Sequence, residues 1–227
     1  MRSLPTDAAV HAAADRLLAD LAEDGLGTAV ASYFSEPAFA GMTFSDLGRN
    51  PPDEITPDDL LAVTLLDIVW RPQVVRIVLG THRRELSLML AAIPHDIDLW
   101  DAGDEVAERI DVMWDALMAI DGIGTASATK LLARKRPRLC PISDSVVIKA
   151  VAVPGRTWDV LRRLLQDPAA RVQVEALRPA AAAQASLLRI LDVILWISHS
   201  ESAAAQWVRE QAGMPRHQRT GEPDQER

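Results

Sequence analysis

Residues 120–149 read IDGIGTASATKLLARKRPRLCPISDSVVIK, and the rest of the chain is organised around them. Gly122 and Gly124 bracket Ile123. Behind them Thr125 to about Lys135 reads as a short helix that stops before Pro137, and Asp111 to Ala119 supplies a helix ahead of the turn. The pattern is helix, tight glycine turn, helix. Glycine tolerates positive φ and leaves the backbone bare enough for close approach. The amides of Gly124, Thr125 and Ala126 would then lie unpaired at a helix N-terminus, where the dipole adds partial positive charge. Such an end favours an anion, a nucleic-acid phosphate being the usual one. The plainer reading is a turn between two packed helices.

Ile120-Asp121-Gly122-Ile123-Gly124, followed by Ala126, Ala128 and the pair Leu131-Leu132, resembles a helix-hairpin-helix motif, a binder of the DNA backbone in many repair proteins. Pro141-Ile142-Ser143-Asp144-Ser145-Val146 is similar to the segment that, in base-excision glycosylases of that superfamily, carries an essential aspartate at a helix start. The resemblance implies an all-α, glycosylase-like fold and a role for Asp144 in stabilising positive charge on a sugar or activating a water. The superfamily's lyase lysine sits eighteen residues before the aspartate. That position is Ala126 here, so the resemblance implies a monofunctional enzyme, with Lys130 one turn further along the same helix face. From about residue 30 to 200 the chain also looks like an uncharacterised bacterial family of unknown function that shares the hairpin. A second reading of Asp144 needs no catalysis: an acid just before Val146-Val147-Ile148 is what an N-cap looks like.

The 227 residues carry a formal net charge of −8, which argues against a polyanion as partner. Between Lys130 and Arg163, however, nine Lys or Arg face two acids, a local balance of +7 that leaves −15 on the remainder. Concentrated charge beside the turn suggests an electrostatic footprint for DNA, with Lys130, Arg134, Lys135, Arg136 and Arg138 in it. The alternative is a set of helix ends in which Lys and Arg cap carbonyls. A lone cysteine, Cys140, excludes a disulfide framework and a four-cysteine metal site, and fits a reducing cytoplasm. The five histidines show no HxxxH or HExxH spacing, so no metal or other cofactor is expected. No signal peptide or bilayer-length apolar run is evident, so no membrane partner is expected.

Taken in order, Thr6 or Asp7 caps an amphipathic docking helix within residues 1–27, ending at Gly25 to Gly27. A helical domain over 28–212 follows, with the hairpin at about 105–136. Residues 37–52 read as loop, whose Phe39 and Phe44, with Tyr33 and Phe34 before it, either line a base pocket or pin the loop to the core. Thr56-Pro57-Asp58-Asp59 is a strong helix start. It opens a nearly all-apolar helix to about Val69, the expected centre of the fold. Pro72 to Gly80, Thr81 to Leu90, and Asp104 onward read as further helices, the last with Val106, Ile110, Met113, Trp114 and Leu117 at helical spacing. A short helix follows Asp144, Thr157 caps one that Pro168 ends, and 178–185 is an alanine-rich linker or helix start. Residues 186–198 (SLLRILDVILWIS) read as a second buried helix, expected to pack on 60–69, and a last helix carries Trp207. From Gly213 the composition suggests disorder.

The expectation is therefore an all-α protein of eight to ten helices that binds nucleic acid, DNA in the first instance, through Gly122, Ile123, Gly124, Thr125 and Ala126, with the basic run supplying charge. A glycosylase-like use of Asp144 is the sharper version. The alternative is a non-catalytic structural or interaction protein that offers the basic patch to an acidic protein partner. Oligomeric state is left open.

Overall fold

A computed structural model describes residues 7–215. Those residues form thirteen α-helices and no strand, so the chain is all-α. In order they are α1 (Asp7–Asp20), α2 (Leu26–Ser35), α3 (Thr43–Asp46), α4 (Pro57–Thr64), α5 (Pro72–Arg76), α6 (Arg83–Ala92) and α7 (Asp104–Met118). There follow α8 (Thr125–Lys135), α9 (Ser145–Val151), α10 (Thr157–Gln166), α11 (Pro168–Ala176), α12 (Leu187–His199) and α13 (Ala203–Gln211). A Thr6 cap, and the tail beyond residue 215, lie outside the described residues.

The helices exceed the eight to ten expected, for local reasons. The stretch read as loop holds the single turn α3. Pro72 to Gly80 divides into α5 and a π-helical turn over Ile77–Thr81. Pro168 does end α10, but it also sits at the first position of α11, where Asp167 Oδ1 accepts the Ala169 N–H at 2.9 Å. An acid followed by proline is a start signal as well as a stop.

Two hydrophobic cores are built from different parts of the chain. The first gathers α1, α2 and everything from α9 to α13; the second gathers the middle, from Ala40 through α3–α8 to Cys140. Trp158 of α10 packs against both. Within the first core the Tyr33 ring stacks on Phe39 at 5.2 Å, and Trp196 meets both edge-on. Tyr33, Phe34 and Phe44 are buried, so these aromatics pin the 37–52 segment to the interior.

The expected centre moves. The helix opened by Thr56 stops at Thr64 rather than Val69, and Leu61 and Val69 are exposed. The chain leaves it through Asp67, which takes a left-handed φ of 62°. Nor does α12 pack on α4: it lies in the first core, against α2, α9, α11 and α13, while α4 packs on α8. The enclosed helix of the second core is α8, in which every residue from Ser127 to Lys135 is buried. An apolar run alone cannot report this, because enclosure is set by neighbours on all sides.

Candidate functional site

The turn between α7 and α8 is shaped by one glycine. Gly122 has φ +96°, and a Cβ there would lie 3.0 Å from Val74 Cγ2 and 3.2 Å from Arg71 Cδ. Gly124 is different. It is the N-cap of α8 at φ −114°, ψ 176°, an extended backbone open to any residue, and a Cβ there would meet nothing within 4 Å. Gly122→Ala should therefore destabilise by about 1–3 kcal/mol, from a strained φ and a crowded side chain. Gly124→Ala should cost about 0.5 kcal/mol. Equal losses in urea unfolding midpoints would contradict this division.

Ile123 is buried in the second core and anchors the turn, so its side chain is not available to a partner. The Gly124 N–H donates to Ser127 Oγ at 3.0 Å. The N–H groups of Thr125 and Ala126 start the helix with no partner among the described residues, and Gly124 is exposed beside them. Asp121, 85 % exposed, is held by Gln73 at 3.2 Å and Arg71 at 3.9 Å.

The basic run does not form a surface patch. Lys130 Nζ donates to the Leu66 carbonyl at 2.9 Å and lies 3.4 Å from Asp144 Oδ2. Arg134 Nε reaches Asp59 Oδ1 at 3.1 Å while its other nitrogens donate to the Phe44 and Leu47 carbonyls. Lys135 Nζ donates to Asn50 Oδ1 at 2.6 Å and Asp59 Oδ2 at 2.8 Å, and burial pulls its pKa down against the pull of Asp59. Arg136 donates to the carbonyls of Ile93, Pro52, Lys135 and Leu90 and to Asp53. All four side chains are buried; Arg138 is half-exposed but paired with Asp98. These cations are internal staples between α8, α4 and the 44–53 segment. Buried charges persist only when paired, and Asp59, wholly buried, pairs two of them. An interaction surface made of this run is removed with it.

Asp144 has two structural contacts. Its Oδ1 accepts the Val146 and Val147 N–H groups at 3.1 Å each, capping α9, and its Oδ2 faces Lys130. The side chain retains 20 % exposure. Near it stands a group that the linear pattern concealed. Asp192 of α12 pairs with Arg189, whose guanidinium donates to the Tyr33 hydroxyl at 2.9 Å and lies over the rings of Tyr33 and Phe44. Burial raises the Asp192 carboxyl above its ordinary range, with the nearby Asp144 charge adding to the shift and Arg189 and Lys130 opposing it. A signal was present: two charges in the otherwise apolar SLLRILDVILWIS are tolerated only with partners.

At the seam of the two cores, α7, α8, α10 and the segment before α9 line an open-mouthed cavity of about 560 Å³. Trp114 and Trp158 line it, with Asp111, Asp159, Thr125 and Arg162. Burial raises the Asp111 carboxyl, and Asp115 and Asp159 add like-charge repulsion. Cys140 also borders the cavity, but burial pushes its thiol up to about 12, so it is an inert core residue. Ser143 lines the cavity; Asp144 does not. No group of three or more His, Cys, Asp or Glu among the described residues is placed to hold a metal ion, and none of their helices is long and apolar enough to cross a membrane.

Fold and site together define an all-α protein of two packed cores, joined at a cavity and carrying an exposed glycine turn. A family of unknown function (DUF6308) matches residues 27–199, well over half of the chain, and the chain belongs to that family. No curated protein and no solved structure matches it.

Proposed function

We propose that this chain binds a nucleic-acid backbone, DNA in the first instance, at the α7–α8 turn. The observation that carries the reading is the start of α8: an exposed Gly124, with the Thr125 and Ala126 amides lacking partners among the described residues, held by a Gly122 turn that an L side chain would strain. A helix start of this kind suits a phosphate oxygen. Because Lys130, Arg134, Lys135 and Arg136 are turned inward, few cations contribute. Affinity is modest and the salt dependence shallow, with log K falling against log salt at a slope of about −1 to −2, the signature of one or two phosphates.

Gly124→Glu tests this. A Cβ there meets nothing within 4 Å and φ is ordinary, so the fold should persist, while a carboxylate beside the amides repels phosphate. Fluorescence anisotropy with a labelled duplex across a salt series should show binding lost in the variant. Undiminished affinity would rule out the turn.

The sharper form of the reading is a glycosylase-like hydrolase. In it the Asp144 carboxylate stabilises positive charge on the sugar as the bond to the base breaks, and water completes the sugar. A second carboxyl, Asp192, stands within electrostatic reach of Asp144, and burial holds its pKa above the ordinary range. Asp144→Asn keeps the cap, since asparagine caps helices as well as aspartate, but it removes the anion facing Lys130, so its thermal stability is measured beside its activity. Base release should vanish with binding kept; a variant that releases base like the parent would remove the catalytic role.

A further inference from the structure

The seam cavity touches the phosphate reading only at Thr125, and the rest of its lining points to a ligand of its own. At about 560 Å³ it falls in the range of sites that enclose small molecules, which occur preferentially between packed units. Its lining includes two indoles, Trp114 and Trp158, side chains of the kind on which planar rings stack. Its charged groups are Asp104, Asp111, Asp159 and Arg162, of which Asp159 is paired with Arg156. Arg162 makes no hydrogen bond or ion pair among the described residues, so its terminal guanidinium nitrogens are left to donate. Asp111, in the same lining, likewise has no hydrogen-bonding partner among the described residues, so both carboxylate oxygens remain able to accept.

From this we infer that the cavity binds a guanine base, as a nucleoside or a nucleotide unit, stacked on the tryptophans, with Asp111 accepting its N–H groups and Arg162 donating to its carbonyl oxygen. Guanine is the common base that places a ring N–H and an exocyclic amine side by side for one carboxylate, with a carbonyl acceptor next to them. Adenine and cytosine set a ring acceptor beside the amine, which a carboxylate repels. Uracil flanks its one N–H with two carbonyls. A simple ammonium ligand suits the indoles and the carboxylates, but it leaves the Arg162 donor unanswered and brings like charge against it.

The inference extends the nucleic-acid reading to a base, yet it is tested without DNA. Isothermal titration calorimetry of the full chain with guanosine, adenosine, uridine and tetramethylammonium should show saturable binding of guanosine. It should be about tenfold or more tighter than that of the other nucleosides, because a site built to hydrogen-bond one edge rejects analogues that lack it. Asp111→Asn and Arg162→Met should each weaken guanosine about tenfold or more, with helical circular dichroism unchanged. Asp111 is an exposed position on α7, so its variant should keep the fold. Guanosine binding without duplex binding would keep the cavity and discard the phosphate turn. Duplex binding without guanosine binding up to millimolar concentration would overturn this inference and keep the turn. Equal affinity for adenosine, or tetramethylammonium bound in place of guanosine, would also overturn it.

Discussion

Asp59→Ala is expected to remove about 3–5 kcal/mol of stability, the loss seen when one partner of a buried ion pair is deleted. Asp59 has no exposed surface, and neither Arg134 nor Lys135 exposes any side chain at this contact. The carboxylate also accepts the Thr56 N–H at 2.8 Å and completes the capping box of α4. Alanine would leave a guanidinium and an ammonium in the interior with carbonyl and amide dipoles but no anion. Against a typical domain stability of about 5–15 kcal/mol, that is enough to unfold a sizeable fraction of the protein on mild heating. Urea unfolding followed by circular dichroism measures it. Asp98→Ala is the contrast: its partner Arg138 is 48 % exposed, so water screens the pair and the loss should stay below about 1 kcal/mol. Matching losses for the two variants would mean that burial does not set the strength of these pairs.

Arg136→Lys should cost about 3 kcal/mol although the charge is kept. Arginine offers five N–H donors in a rigid fork, and all five are engaged: Nε with the Ile93 carbonyl at 2.9 Å, Nη1 with Pro52 and Lys135, Nη2 with Asp53 and Leu90. The fork joins the end of α8 to the end of α6 and to the 52–53 segment. An ammonium reaches at most three acceptors from a single point, so buried carbonyls are left without donors at roughly 1 kcal/mol or more each. The same unfolding measurement applies. A loss under about 1 kcal/mol would show that water or backbone movement replaces the missing donors. If the residue acted on nucleic acid from the surface, the lysine variant would keep both stability and affinity.

Both predictions turn on residues whose type was visible and whose place was not. Short-range signals were legible because their physics is local. Thr56-Pro57-Asp58-Asp59 starts α4 with the expected cap. Asp144 lies just ahead of α9 and bonds its first amides. Gly122 turns the chain between α7 and α8. These depend on neighbours within four residues, and the sequence states them directly. The inward direction of the basic run was not legible. A balance of +7 over residues 130–163 counts charges without saying which face of α8 they leave by, and the anion that decides the matter, Asp59, stands 75 and 76 residues away from its two partners.

The sequence by itself determined that the chain is helical, where most of its helices begin, and that a glycine turn precedes one of them, since caps, proline positions and 3.6-residue periodicity are properties of the local backbone. Tertiary structure alone decided that α8 is enclosed, that its lysines and arginines are internal staples, that Asp144 lies near Asp192, and that Asp111 and Trp114 share a cavity with Trp158 and Arg162. The physical reason is that burial and charge pairing arise when distant segments exclude water from one another, and no stretch of chain carries that information until the others have packed against it.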